Sequence, residues 1–473
     1  MWHMSLAPIF LNAKSASYRL IAVSQQTIKI EMNYMPTTSH KMGPLKGKIF
    51  APGDKSISHR SLILGAMAGG ETNITGLLEG ADIMATAEAM NKLGAGVERI
   101  KKGEWIIQGC GEAGLISPSE PIDCGNAGTG VRLLMGAISG YKISATFKGD
   151  ASLSSRPMAR VLNPLKQMGI EYNCDEGETL PATIISSGDL KAIDYVSPHA
   201  SAQVKSAILL AGVNTTGVTS ITEHTLSRDH SENMLKAFGA TINVEPQGQG
   251  QKVSIKGPVT LKGTNINIPG DPSSAAFPIV AAIITPGSDI LVQNVMMNPT
   301  RTGLFTTLTE MGAYLRADNY RTSGGEIIAD IHVKYSQLNG VIVPKERAPS
   351  MIDEYPILAV AAAYAKGTTT MRGISEMRVK ESDRINATFE LLAGNGVDVK
   401  EYPDGLLVKG GSVIGGGDTV LTHHDHRIAM SALILGINSE NPIKIDDSSM
   451  IATSFPTFFT SMAEIGAKIE VPQ

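Results

Sequence analysis

Six times along the chain a helix-like stretch ends on a glycine and turns into a strand-like one. The sites are Asn91-Lys92-Leu93-Gly94, Lys166-Gln167-Met168-Gly169, Lys236-Ala237-Phe238-Gly239, Thr309-Glu310-Met311-Gly312, Ala393-Gly394-Asn395-Gly396 and Ala463-Glu464-Ile465-Gly466. The glycines are separated by 75, 70, 73, 84 and 70 residues. Glycine just past a helix end takes the left-handed conformation at little steric cost, which gives the shared punctuation a physical reason. A near-constant period over 473 residues points to six copies of one unit rather than one large core.

Each unit also contains a second helix, poor in charge and opened by a polar turn. These openings are Lys55-Ser56, Asn126-Ala127-Gly128-Thr129, Ser201-Ala202-Gln203, Asp271-Pro272-Ser273-Ser274, Asp353-Glu354 and Asp425-His426-Arg427. Pro269-Gly270-Asp271-Pro272-Ser273-Ser274 echoes Pro52-Gly53-Asp54-Lys55-Ser56 with the lysine lost, so two halves of three units are expected, the second beginning near residue 269. Stretches such as Ala207-Ile208-Leu209-Leu210-Ala211 and Ala359-Val360-Ala361-Ala362-Ala363 should be buried, with strands such as Trp105-Ile106-Ile107 and Ile327-Ile328-Ala329-Asp330-Ile331 around them. This is an α/β (α+β) chain. If the buried helices run alike, their positive ends gather at one end of each half and make an anion-attracting cleft.

Composition narrows the partners. A net charge of −4 exerts no global pull on nucleic acid or anionic membrane, and aromatics at 5% supply base stacking poorly. No apolar run approaches the roughly 18 to 20 residues of a membrane span. Cys110, Cys124 and Cys174 form no C-x-x-C pair, which suits a reducing cytosol. The first 30 residues hold Lys14, Arg19 and Lys29 but no acid before Glu31. A disordered extension over 1–34, or a start upstream of the true one at Met32 or Met35, is expected there.

The richest segment is Pro52-Gly53-Asp54-Lys55-Ser56-Ile57-Ser58-His59-Arg60. It places a lysine, a hydroxyl and an arginine in the first turns of a helix, with Ser56 and Arg60 on one face, a good receptor for phosphate or carboxylate. It is not a Walker A loop, because no glycine directly precedes the lysine. Asp123-Cys124-Gly125-Asn126-Ala127-Gly128-Thr129-Gly130 is a glycine-rich loop opening a helix over Val131 to Ile138. Arg156 and Arg228 each stand beside hydroxyls, and Lys380 and Arg384 fall four apart, on one face of an expected helix, with Glu381 adjacent. Asp353-Glu354 directly precedes a buried helix, where a carboxylate is often only a cap. His423-His424-Asp425-His426-Arg427 is too crowded for its side chains to converge on one ion, so no metal site is expected.

Taken in order, Pro-Gly-Asp-Lys-Ser-Ile-Ser-His-Arg, Gly-Asn-Ala-Gly-Thr-Gly, Ala-Ser-Ala-Gln-Val-Lys-Ser-Ala, Pro-Ser-Met-Ile-Asp-Glu-Tyr-Pro, Arg-Val-Lys-Glu-Ser-Asp-Arg and Asp-His-Arg-Ile-Ala-Met resemble the 5-enolpyruvylshikimate-3-phosphate synthase family, in its second bacterial class. The resemblance runs from about residue 44 to the C-terminus. It implies two similar domains of three βαβαββ units, the enolpyruvyl transferase fold, with one half over 53–268, the other over 35–52 plus 269–473, and the active site between them. It implies transfer of enolpyruvyl from phosphoenolpyruvate to the 5-hydroxyl of shikimate 3-phosphate, with no metal or organic cofactor, in a cytoplasmic enzyme expected to be a monomer. Shikimate 3-phosphate would be held by Lys55, Ser56, Arg60, Ser201, Ala202, Gln203, Arg228, Asp353 and Lys380. Phosphoenolpyruvate would be held by Lys55, Gly128, Arg156, Gln203, Arg384 and Arg427. Asp353 would take the proton of the attacking hydroxyl, and Glu381, with Lys55 implicated, would protonate the methylene carbon. The cations of the two halves would repel across the cleft until bound anions screen them, so shikimate 3-phosphate should draw the domains together.

Thr453-Ser454-Phe455-Pro456 lacks the lysine usual in glyphosate-sensitive members, as does the second class; Gly128 follows the sensitive pattern and Leu133 the second-class one. These positions point in opposite directions for sensitivity. Two rivals are a UDP-N-acetylglucosamine enolpyruvyl transferase, which typically uses a loop cysteine as acid, and a non-catalytic protein of the same fold.

Overall fold

The computed structural model describes residues 34–471 apart from positions 176 and 199, preceded by the short strands Arg19–Leu20 and Ile30–Glu31. The extension expected over 1–34 otherwise lies outside the described residues.

Six four-stranded sheets repeat one plan. In each, an edge strand runs parallel to its neighbour and the remaining two pairings are antiparallel. The helices expected at the polar openings are Lys55–Met67, Gly128–Ser139, Ala202–Gly212, Pro272–Ile284, Tyr355–Ala363 and His426–Gly436. All are largely buried, and every residue of Pro272–Ile284 is. With few or no charges to keep in water, such helices lose nothing by being covered on all sides. The second helix of each unit ends at one of the six glycines, and Gly94, Gly169, Gly239, Gly312, Gly396 and Gly466 have φ of 100°, 116°, 95°, 98°, 84° and 95°. The left-handed turn inferred from the punctuation is what reverses each helix into its strand.

Two hydrophobic cores form. One gathers residues from Ile57 to Ile268 together with Met296; the other gathers Leu45, Ile49 and residues from Ala275 to Ile465. Chain order and sheet order part company at three strands. Lys46–Phe50 runs parallel to Asp289–Met296, and Thr37–Ser39 lies between Ile443–Ile445 and Ile469–Glu470. Asn265–Asn267 returns to pair with Gly69–Thr75. The chain therefore passes between the two groups of sheets twice, on adjacent paths. The Asp54 N–H donates to the Pro269 carbonyl at 2.8 Å and the Asp271 N–H to the Pro52 carbonyl at 2.7 Å.

Two local expectations are corrected. The helix after the glycine-rich loop begins at Gly128, not Val131. Lys380 and Arg384 do not share a helix face: Lys380 ends the 3-10 turn Ser375–Val379 in extended backbone, and Arg384 opens a separate helix, Arg384–Gly394. Asp383 explains the break, since its carboxylate accepts from the Asn386 N–H and restarts the helix as an N-cap.

Candidate active site

The first wall of the candidate site is built from three helix starts. Asp54 caps Lys55–Met67 by accepting from the Ile57 N–H at 2.8 Å, and Lys55 is ion-paired with Asp82. One turn on, Arg60 is buried and donates to the Ser56 carbonyl at 2.9 Å, Ser231 Oγ at 2.8 Å and Ser206 Oγ at 2.7 Å. Burial lowers its pKa to about 10, against the pull of Glu232 and Asp54, so it stays charged at neutral pH. Ser201 caps Ala202–Gly212, and Gln203 Nε2 donates to Thr129 Oγ1 at 2.9 Å, tying that start to the glycine-rich one. Arg156 donates to Asn126 Oδ1 at 2.7 Å. A Cβ at Gly128 would lie 2.9 Å from Arg156 Nη1 and 3.2 Å from Arg132 Nη1, so only glycine leaves both guanidiniums where they are.

The facing wall centres on Arg384, whose side chain is 1% exposed. Its Nε meets Asp425 Oδ2 at 2.7 Å, its Nη1 meets Asp353 Oδ1 at 3.1 Å, and its Nη2 meets Glu381 Oε2 at 2.5 Å. Asp353 is reached from both walls: Arg228 Nη2 lies 2.6 Å from Oδ2, and Lys380 Nζ lies 3.6 Å from Oδ1. Glu354 occupies the N-cap position of Tyr355–Ala363, but its carboxylate makes no capping hydrogen bond. Glu354 instead accepts from Ser273 Oγ and lies 3.5 Å from Arg427. The picture of bare cations repelling across the cleft is thereby corrected. Carboxylates already sit among them, and Asp353 joins Arg228 of one wall to Arg384 and Lys380 of the other.

These contacts set the protonation states. Burial alone would raise Asp353, but Lys380, Arg228, Arg427 and Arg384 together hold it well below the ordinary carboxylate range. Glu381 is likewise depressed against its burial, by Arg384, His426 and Arg156. Glu354 goes the other way, raised chiefly by burial and also by Asp353, against the pull of Arg427. Two ionised carboxylates and one more easily protonated carboxyl thus lie side by side, held by cations with geometry suited to polyanions.

Comparison with known proteins places the chain in a family. Residues 39–462 match the family described as EPSP synthase (3-phosphoshikimate 1-carboxyvinyltransferase). The chain belongs to that family. A 3-phosphoshikimate 1-carboxyvinyltransferase of Rhizobium johnstonii is 54% identical over 444 residues, covering 92% of this chain and 98% of that one. One from a Chelativorans species is 55% identical over 440 residues, covering 92% and 98%. The solved EPSP synthase of Acinetobacter baumannii superposes with a TM-score of 0.83 at 45% identity, covering 93% of this chain and all of that one. The architecture is the two-domain enolpyruvyl transferase fold of that family.

Within the family frame, Lys55, Ser56, Arg60, Ser201, Gln203 and Arg228 come from the first half, and Asp353, Lys380, Glu381, Arg384 and Arg427 from the second. Cys124 is buried, and burial first, then Asp123 and Asp82, pushes its thiol up to about 12. Such a thiol is a poor acid–base group at neutral pH. Cys124→Ser is expected to leave turnover essentially unchanged when phosphate release is followed; a collapse in folded protein would assign the acid role to the thiol. His423 and His424 sit at φ of 50° and 55° and are exposed, while buried His426 is lowered to about 3 by burial and Arg427. The three histidines therefore do not converge.

Sequence reasoning missed Arg132, Glu354 as more than a cap, and the roles of Asp82 and Asp425 as counter-charges. Asp425 stood in a quoted motif, but nothing in its spacing pairs it with Arg384. Asp82 and Arg132 lie in ordinary helices, Ala81–Lys92 and Gly128–Ser139, whose pattern marks neither residue.

Proposed function

We propose that the chain catalyses transfer of the enolpyruvyl group of phosphoenolpyruvate to the 5-hydroxyl of shikimate 3-phosphate, releasing phosphate, as a step of the shikimate pathway toward aromatic amino acids. The observation that carries this reading is Asp353, a carboxylate shared by Arg228 of one half and Lys380 and Arg384 of the other. A base at that position can face an acceptor held on the first half while the second half supplies the donor's cations.

Shikimate 3-phosphate sits against Lys55, Ser56, Arg60, Ser201, Ala202, Gln203 and Arg228, with Asp353 and Lys380 at its reacting hydroxyl. Phosphoenolpyruvate lies between Lys55, Gly128, Arg156, Gln203, Arg384 and Arg427. Asp353 removes the hydroxyl proton as the oxygen bonds to C2 of phosphoenolpyruvate. The methylene carbon C3 takes a proton from Glu381 and becomes a methyl group. Elimination then reverses the protonation: C3 loses a proton, the C2–O bond to phosphate breaks, and the enol ether remains.

Glu381 has to carry a proton at the addition step, although Arg384, His426 and Arg156 hold it ionised against its burial. A donor phosphate arriving at Arg384 and Arg156 adds negative charge beside Glu381 and raises its proton affinity, so substrate binding itself prepares the acid. Fixing both polyanions in attack geometry contributes at least as much as proton transfer. The reaction calls for no metal or organic cofactor, and a cytoplasmic location fits a biosynthetic enzyme family; among the described residues no helix is long and apolar enough to cross a membrane.

The test is phosphate release from phosphoenolpyruvate with shikimate 3-phosphate, run beside UDP-N-acetylglucosamine. Release with shikimate 3-phosphate alone is expected. Release only with the nucleotide sugar overturns the acceptor, and silence with both overturns the reaction.

A further inference from the structure

Between the two chain crossings lies a guanidinium that touches none of the residues proposed to hold substrate. Arg301 precedes the helix Gly303–Glu310, and its side chain is 3% exposed. Its Nη1 donates to Asp54 Oδ2 at 2.9 Å and approaches His230 Nε2 at 3.2 Å. Its Nη2 donates to Asp271 Oδ1 at 2.8 Å and to Ser273 Oγ at 2.9 Å. Because guanidinium only donates, His230 Nε2 accepts and the ring proton sits on Nδ1, facing Glu326 Oε1 at 2.8 Å. Asp229, His230 and Glu326 cluster closely enough to suggest a metal. The cation at His230, and Asn298 donating to both Asp229 and Glu326, already use those atoms.

Two chains of contact leave Arg301, and each ends one residue from a reacting group. Through Asp54 it reaches the N-cap that begins the helix carrying Lys55 and Ser56. Through Ser273 Oγ, which donates onward to Glu354, it reaches the residue beside Asp353. Asp54 belongs to the first crossing, and Asp271 and Ser273 to the second.

We propose that Arg301 is a positioning residue that registers the Lys55–Ser56 helix start against the Asp353–Glu354 turn, so that groups from the two halves meet across one pair of substrates. Fork geometry is essential to this: one planar group holds Asp54 on one arm and Asp271 with Ser273 on the other. A lysine is a point charge and cannot span both. The inference rests on the reaction being seated at Lys55 and Asp353.

The experiment compares Arg301→Gln and Arg301→Lys with wild type and with Asp353→Asn, measuring kcat, both KM values, calorimetric affinity for shikimate 3-phosphate alone, and thermal unfolding. Misalignment between the halves should lower kcat of Arg301→Gln by about 10²-fold. Affinity for shikimate 3-phosphate, whose contacts lie mainly on the first half, should change far less. Arg301→Lys should recover stability more fully than kcat. Folded variants with wild-type kcat, or a kcat loss matched by an equal loss of affinity, overturn the proposal. Failure of both variants to fold assigns Arg301 a structural role only and overturns it too. An Asp353→Asn enzyme with wild-type turnover would instead overturn the placement of the reaction, a separate outcome.

Discussion

Asp353→Asn lowers kcat by roughly 10² to 10⁴ while the KM for phosphoenolpyruvate stays close to its original value, the signature of a lost general base. Asparagine keeps the size and one oxygen of the side chain, so the space it fills is unchanged. What disappears is the proton acceptor at the point where Arg228, Lys380 and Arg384 converge. The depressed pKa of Asp353 does not contradict the role. Its cations are the groups proposed to hold the substrates' anions, and each anion that binds them restores basicity to Asp353. A steady-state comparison decides the matter: unchanged kcat with a raised KM for shikimate 3-phosphate would make Asp353 a binding residue and leave the base to be found elsewhere.

The second large effect is expected at Arg384. Arg384→Ala leaves Asp353, Glu381 and Asp425 crowded around a vacated position, and removal of one partner from such a buried cluster costs about 3–5 kcal/mol. Urea unfolding at neutral pH should show that loss, and phosphate release should fall with it. Its pH dependence has a definite sign. Burial raises all three carboxylates, yet Arg384, with Lys380, Arg228, Arg427, His426 and Arg156, holds them below the ordinary range. A carboxylate with a lowered folded pKa adds stability that is complete above its unfolded value near 4 and fades as pH falls through the lower folded one. The difference between wild type and Arg384→Ala should therefore be greatest near neutrality and shrink in acid below about pH 4. A difference that grew in acid would mean that Arg384 does not stabilise the ionised forms.

The chain reveals its repeat directly because local chemistry specifies it. Six helix ends required left-handed glycine, and six apolar helices required complete burial; both are short-range demands that any reader of the residues can find. The polar openings were legible for the same reason, since Lys55, Ser201 and Asp425 stand where free N–H groups begin a helix. The motifs then identified the family, and residues carried over from it, such as Arg228 and Asp353, proved to be in contact.

What spacing could not show is which charges face one another. Asp353 lies 125 positions from Arg228, and Arg301 lies 247 positions from Asp54. Such pairs meet only because the two cores lie against one another, joined by adjacent chain crossings. Nothing in the local pattern around Asn298-Pro299-Thr300-Arg301 distinguishes a buried fork from a surface arginine. The sequence by itself determined the six-unit plan and the buried helices, because these follow from steric and hydrophobic rules acting over a few residues. Only the tertiary structure decided that Asp353 meets Arg228, Lys380 and Arg384, and that Arg301 meets both Asp54 and Asp271, because Coulomb attraction depends on distance in space and not along the chain.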